Sequence, residues 1–227
     1  MQSASVSDFD IAKYGFGFGN SFDKPFVLNT KFGKISMGQN AGLCGGMTFA
    51  SLDYFATNRT APDALSDPLF DYLCERQTDS LDLPGGVFRY MSWQTAADNS
   101  RMMFGKRIRE GISYSTLTSE WPKIQALLDG GHLAPLGLIK TDSINPKALS
   151  QNQQVLAYGY ELNSEAQILT IQVCDPNCPR DPNITLRLGT GNPDFFRPVI
   201  HSADVSHPIR GFFLSNYVDP KMPPSDS

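Results

Sequence analysis

The chain lacks the features of a membrane span, a nucleic-acid footprint or a disulfide scaffold. Its longest apolar runs fall far short of the roughly 20 residues that span a bilayer. A net charge of -4 gives no basic footprint for nucleic acid, and no Lys/Arg cluster stands against it. Residues 1–8 lack the charged-then-apolar order of a secretory leader, which leaves open the cytoplasm, a leader already removed, or export by another route. Histidine is scarce: His132, His201 and His207 are read as surface or loop residues, because nothing in their spacing suggests a triad order. The four cysteines, Cys44, Cys74, Cys174 and Cys178, are too few and too scattered for a disulfide framework and fit a reducing compartment. Cys174 and Cys178 form a C-x₃-C pair with no second pair, and Asp175, Asn177 and Asp181 depart from the calcium-loop pattern. The stretch reads as a strand end and turn punctuated by Pro176 and Pro179, so no metal and no cofactor is expected.

What is present is the composition of an ordinary globular domain. The chain has 227 residues, 41% hydrophobic and 19% charged, enough for one domain with a substantial core. Residues 1–12 read as a loose tail, 13–218 as a single domain, and 219–227 as a disordered Pro/Ser-rich end. Tyr14-Gly15-Phe16-Gly17-Phe18-Gly19-Asn20 alternates glycine with aromatics. With no strand before it and no helix pattern after it, it reads as a loop laid on the domain, not a dinucleotide fingerprint.

The most informative stretch is Gly38-Gln39-Asn40-Ala41-Gly42-Leu43-Cys44-Gly45-Gly46-Met47-Thr48-Phe49-Ala50. Leu43, Met47, Ala50 and Tyr54 share one helical face, which puts Cys44 at the amino-terminal end of an amphipathic helix. Unpaired N–H groups and the helix dipole there favour a thiolate. Gln39 is placed to donate to the oxygen that turns negative when a thiolate attacks a carbonyl. Gly42, Gly45 and Gly46 suit a place where a substrate or another backbone comes close. The competing reading is a buried cysteine acting as a small hydrophobe.

Helices follow at about 67–81, with Asp67 as N-cap and Pro68 at N1, then from Gly85-Gly86 through Trp93, and at 120–128 behind Ser119. Residues 97–112 carry no clear period. Strands are expected at 26–28 and 34–36, and then at 133–140, 154–161, 167–174, 184–188 and 210–215, mostly antiparallel by their short connections. Helices first and strands after give an α+β class.

The Gly-Leu-Cys-Gly-Gly-Met segment, the Gln154-Val155-Leu156-Ala157-Tyr158-Gly159-Tyr160 strand and the Asp175-Pro176-Asn177 turn together resemble the papain-like cysteine peptidase superfamily, in one of its bacterial branches. The likeness runs from about residue 35 to 218. It implies a papain-like fold: a helical half carrying the nucleophile, an antiparallel sheet half, and a cleft between them for a peptide or protein substrate or ligand. It implies Cys44 as nucleophile, Gln39 in the oxyanion hole, and Asp175 as the residue that orients the base. The family's strand opens Asn-His-Gln-Val; here Asn152-Gln153-Gln154-Val155 puts Gln153 at the histidine position. An amide cannot take and return a proton near neutral pH. Two functions are therefore expected: a thiol hydrolase impaired by the missing base, or an inactive pseudoenzyme whose cleft binds a peptide or protein. Gln153 as an engineered change, and another residue serving as base, stay open beside them. No nucleic acid and no membrane span is expected, and the sequence sets no oligomeric state.

Overall fold

The computed structural model describes residues 1–23, 25–30, 33–37, 42–82, 85–143, 145–218 and 220–224. In chain order its elements are β1 (Gln2–Ser5), α1 (Ile11–Tyr14), β2 (Phe26–Thr30), β3 (Gly33–Met37), α2 (Cys44–Ala56), α3 (Asp67–Ser80) and α4 (Gly85–Gln94). The hairpin β4 (Arg101–Met103) and β5 (Lys106–Arg109) follows, then α5 (Ile112–Tyr114), a π-helical run (Ser115–Glu120) and α6 (Trp121–Asp129). The sheet half contains β6 (Ala134–Ile139), a 3₁₀ turn (Pro146–Gln151), β7 (Gln153–Asn163), β8 (Ile168–Cys174), β9 (Thr185–Gly189), β10 (Val199–His201), β11 (Asp204–Ile209) and β12 (Gly211–Leu214).

The class is α+β. The large sheet is antiparallel, ordered β11-β10-β9-β8-β7-β6-β12, and it curls into a half-barrel. Short loops between successive strands dictate antiparallel neighbours. Strand β7 is long enough to serve two partners along one edge: β6 pairs with residues 153–157 and β1 with residues 159–162. Residues expected to form a loose amino-terminal tail are thus a sheet strand and, from Ile11, a helical turn capped by Asp10. Strand pairing satisfies backbone groups whatever the side chains, so a short polar segment leaves no periodic trace.

Helix α2 is buried on nearly every side, from Gly45 to Tyr54, and packs on α3 and β7. The sequence face Leu43, Met47, Ala50 and Tyr54 is indeed buried. Thr48, Ser51 and Asp53 on the other side are buried too. That face holds polar groups because Asp53 is matched by Arg76 (Nε–Oδ2 2.7 Å), by the hydroxyls of Tyr72 and Tyr217, and by the Lys221 N–H. The carboxy-terminal residues 220–224, expected to be disordered, lie across this cluster. Arg59 donates to the carbonyls of Pro223 and Pro224.

The N-cap of α3 is Ser66, whose hydroxyl accepts from the Leu69 N–H, one residue earlier than the Asp67 expected. The helix expected behind Ser119 has no cap there, because the π-helical run carries the chain on from α5 without a break. The buried Glu120 at that joint takes Arg89, Lys123 and the Leu214 N–H.

Candidate functional site

Cys44 is the first residue of α2, and no side chain of its own turn caps the helix. Two distant side chains do that work. The Oδ1 of Asn20 accepts the Leu43 N–H, and Gln77 Oε1 accepts the Gly46 N–H at 2.9 Å. The glycines around Cys44 are explained by close approach. A Cβ at Gly46 would stand 2.2 Å from the Leu73 carbonyl oxygen on α3. One at Gly45 would stand 2.1 Å from Ser80 Oγ, and one at Gly42 would strike Asn20. What comes close is other protein, both backbone and side chain.

The sulfur faces the sheet where β8 has ended. Cys174, the last residue of β8, pairs with Leu156, so β7 runs on past it toward Gln153. There the Gln154 N–H turns to Cys44 Sγ at 3.4 Å. Residue 153 precedes that N–H directly, so its backbone lies beside the sulfur.

The electrostatics reverse the expectation of a thiolate. Burial pushes the Cys44 thiol above its ordinary range, and the nearby Asp175 carboxylate adds to the rise. The N–H groups of Gln154, Gly45 and Cys44 itself pull the other way without winning. A helix end favours the anion, but loss of water around the sulfur costs more here. Tyr90, from α4, lies close enough to Cys44 for charge on the sulfur to raise its phenol, after burial, the larger cause. Its ring stacks edge-on against Phe213, and its hydroxyl stands beside Gln154 and Ser215.

Asp175 and Gln153 are brought together. Gln153 Nε2 donates to Asp175 Oδ1 at 2.6 Å, with both side chains buried. The same oxygen accepts the Asn177 N–H at 2.8 Å, which closes the Asp-Pro-Asn turn. Asn20 ties this turn to the start of α2. Its N–H donates to the Pro176 carbonyl, and its Nδ2 donates to Asn177 Oδ1 at 3.2 Å. Gln39 lies outside the described residues.

His201 corrects the sequence reading of a surface histidine. It is buried on β10, and its Nε2 stands 2.8 Å from Asp175 Oδ2. Its Nδ1 accepts the Ala203 N–H at 3.1 Å. The geometry therefore assigns the proton to Nε2, which donates to Asp175. Both ring nitrogens are occupied, and neither is left to serve the thiol. Asp175 thus accepts from an amide, an imidazole and a backbone N–H, and among the described residues no lysine or arginine pairs with it.

No family model, no curated protein and no solved structure matches this chain. Sequence reasoning reached Cys44, Gln153 and Asp175 but missed Asn20, Gln154 and His201. Asn20 closes a glycine-aromatic loop and bridges two segments more than 20 and 150 residues away. Gln154 acts through its backbone, which leaves no residue-type signal. Cys174 and Cys178 are free thiols, and Cys174 is pushed up to about 12 by burial and Asp175.

Proposed function

We propose that this chain is a papain-like thiol-hydrolase scaffold that lacks its general base and binds a peptide or protein in the cleft by Cys44 without turning it over. The observation that carries the reading is the 2.6 Å hydrogen bond from Gln153 Nε2 to Asp175, with the N–H of the next residue, Gln154, on the Cys44 sulfur. An imidazole at position 153 would donate to Asp175 from one ring nitrogen and offer the other to the thiol. The amide keeps the first contact and cannot perform the second, because it neither gains nor loses a proton near neutral pH. Loss of general acid–base help is worth on the order of 10²–10⁴-fold in rate. The raised Cys44 thiol deepens the silence, since the thiolate is the nucleophile.

The test is the pH dependence of Cys44 alkylation by iodoacetamide, read by mass spectrometry on the Cys44 peptide, in this chain and in Gln153→His. The expected result is slow reaction in the native chain, with a midpoint above the ordinary thiol range. In Gln153→His the rate below pH 7 rises by about tenfold or more, as a histidine–thiolate pair forms. Equal rates in the two proteins would remove the hydrolase reading of the site. Fast reaction of the native chain at neutral pH would remove its silence.

A further inference from the structure

The segment 101–109, Arg-Met-Met-Phe-Gly-Lys-Arg-Ile-Arg, carries four cations and no acid, on a chain of net charge -4. The sequence reading found no basic cluster; the hairpin of β4 and β5 makes one by pairing Arg101 with Arg109 and Met103 with Lys106. Its turn is Phe104-Gly105, both with positive φ, +48° and +73°. This turn geometry favours Asn-Gly, and a bulky residue in the left-handed region is an outlier. Phe104 is also 98% exposed, so packing offers nothing in return for that conformation. Met102, Met103 and Ile108 are about half exposed beside it. Neither local backbone preference nor the core explains an aromatic ring at this tip.

The root of the hairpin, by contrast, is fixed. Arg107 holds Asp194 with two hydrogen bonds, 2.6 and 3.1 Å, and its guanidinium lies 3.4 Å over the Tyr114 ring. Arg101, Lys106 and Arg109 are exposed around it; Arg109 makes one long contact, to the Thr95 carbonyl at 3.5 Å. A rigid base therefore presents an apolar tip with cations just behind.

We propose that this hairpin is a membrane-surface finger that inserts Phe104, Met102 and Met103 into the headgroup region of an anionic lipid bilayer. Strand rise puts Arg101 and Arg109 about 10 Å behind the tip. A tip sunk roughly 5–10 Å into the interface brings those cations level with the lipid phosphates. Lys106, nearer the tip, reaches back to the same level along its apolar stem. Each cation near a negative leaflet strengthens binding about fivefold. A nucleic-acid surface would place the cations foremost, whereas here the apolar residues lead. A protein interface needs about 800 Å² from each partner, more than a nine-residue projecting tip supplies. Among the described residues no helix is long and apolar enough to cross a membrane.

The test is co-sedimentation of the full chain with phosphatidylcholine vesicles, with and without phosphatidylserine, at low and high salt. Binding is expected only with phosphatidylserine and weakens in high salt. Phe104→Asp is expected to lower it by about tenfold or more, from the loss of a buried aromatic ring. The double change Arg101→Glu with Lys106→Glu should abolish the preference for phosphatidylserine. Phe104→Trp reports the tip directly, through a blue-shifted emission that brominated lipid quenches. Absence of binding to both vesicles overturns the proposal. So does vesicle binding that Phe104→Asp leaves unchanged. Dissociation of a self-associated form by Phe104→Asp, without lipid binding, would make the hairpin a protein contact and overturn it as well.

Discussion

Asp53 on α2 and Asp175 after β8 are both buried, at 0% and 2% exposure, but their partners differ in kind. Asp53 faces a full cation: Arg76, itself fully buried, approaches at 2.7 and 3.1 Å, with two phenols and a main-chain N–H filling the rest. Asp175 takes an amide, an imidazole N–H and a main-chain N–H. The first carboxylate has its charge cancelled where it stands, and it joins α2, α3 and the carboxy-terminal segment. The second keeps its charge and fixes the orientation of two side chains. That charge reaches Cys44 and raises the thiol. A carboxylate that orients without being neutralised is suited to holding side chains in place, and here it holds the Gln153 amide and the His201 imidazole, whose other ring nitrogen accepts the Ala203 N–H.

The comparison is tested most strongly by removing the cation from one carboxylate and, in the other region, the carboxylate itself. Arg76→Leu leaves Asp53 buried without its cation and is expected to cost about 3–5 kcal/mol in urea unfolding. Asp175→Ala leaves the Gln153 amide and the His201 N–H without an acceptor and is expected to cost about 2–3 kcal/mol. It should also speed Cys44 alkylation, since the raising charge is gone. A larger loss at Asp175 than at Arg76 would invert the assignment of structural and orienting roles.

The two regions were unequally legible in the sequence. The strands around Asp175 were readable because β6, β7 and β8 are rich in branched and aromatic residues between turn signals. The helix bearing Asp53 reads as one-sided from Leu43, Met47, Ala50 and Tyr54, and that face carries no sign that the opposite side is buried as well. Arg76 and Tyr72, on a different helix, together with Tyr217 and the Lys221 N–H, 164 and 168 residues away, make the burial of Asp53 possible. His201 was missed for a related reason. It sits on a three-residue strand between Pro198 and Pro208, which reads as loop, and its burial comes from pairing with β9 and from Asp175. The thiol is raised where the helix end alone implies lowering, because the sequence shows the helix end but not the loss of water around the sulfur. The hairpin 101–109 leaves no alternation in the sequence because both faces of it are exposed except at Arg107.

Alkaline pH sharpens the contrast by the order in which groups titrate. Cys174 beside Asp175 is raised to about 12 by burial and that charge, and Cys44 is raised as well. Burial and hydrogen bonding to Asp53 raise Tyr72 and Tyr217 in the other region. The unfolded chain releases thiol protons from about pH 8.5 and phenol protons from about pH 10, while the folded chain retains them. Stability is therefore full below pH 8.5 and falls as pH rises, by about 2 kcal/mol at pH 10 for Cys174 alone. The thiol side should yield first. Urea midpoints measured from pH 7 to 10 check this, and Cys174→Ala should flatten the fall. A midpoint that stays level to pH 10 would mean that the sulfur is wetter than its burial implies.

The smallest expected effect separates charge from backbone in the carboxy-terminal segment. Lys221 makes ion pairs with Glu75 and Asp79 at 2.5 and 2.7 Å, yet its side chain is a third exposed. Its N–H donates to Asp53, which no substitution of the side chain removes. Exposed ion pairs are worth about 0.2–1 kcal/mol and fade with salt. Lys221→Ala is thus expected to cost about 0.5 kcal/mol in low salt and less in high salt. The segment would stay docked through Tyr217, the Lys221 N–H and the two proline carbonyls on Arg59. A loss above about 2 kcal/mol would instead mean that the lysine charge holds the segment down, and that Asp53 depends on Lys221 as well as Arg76.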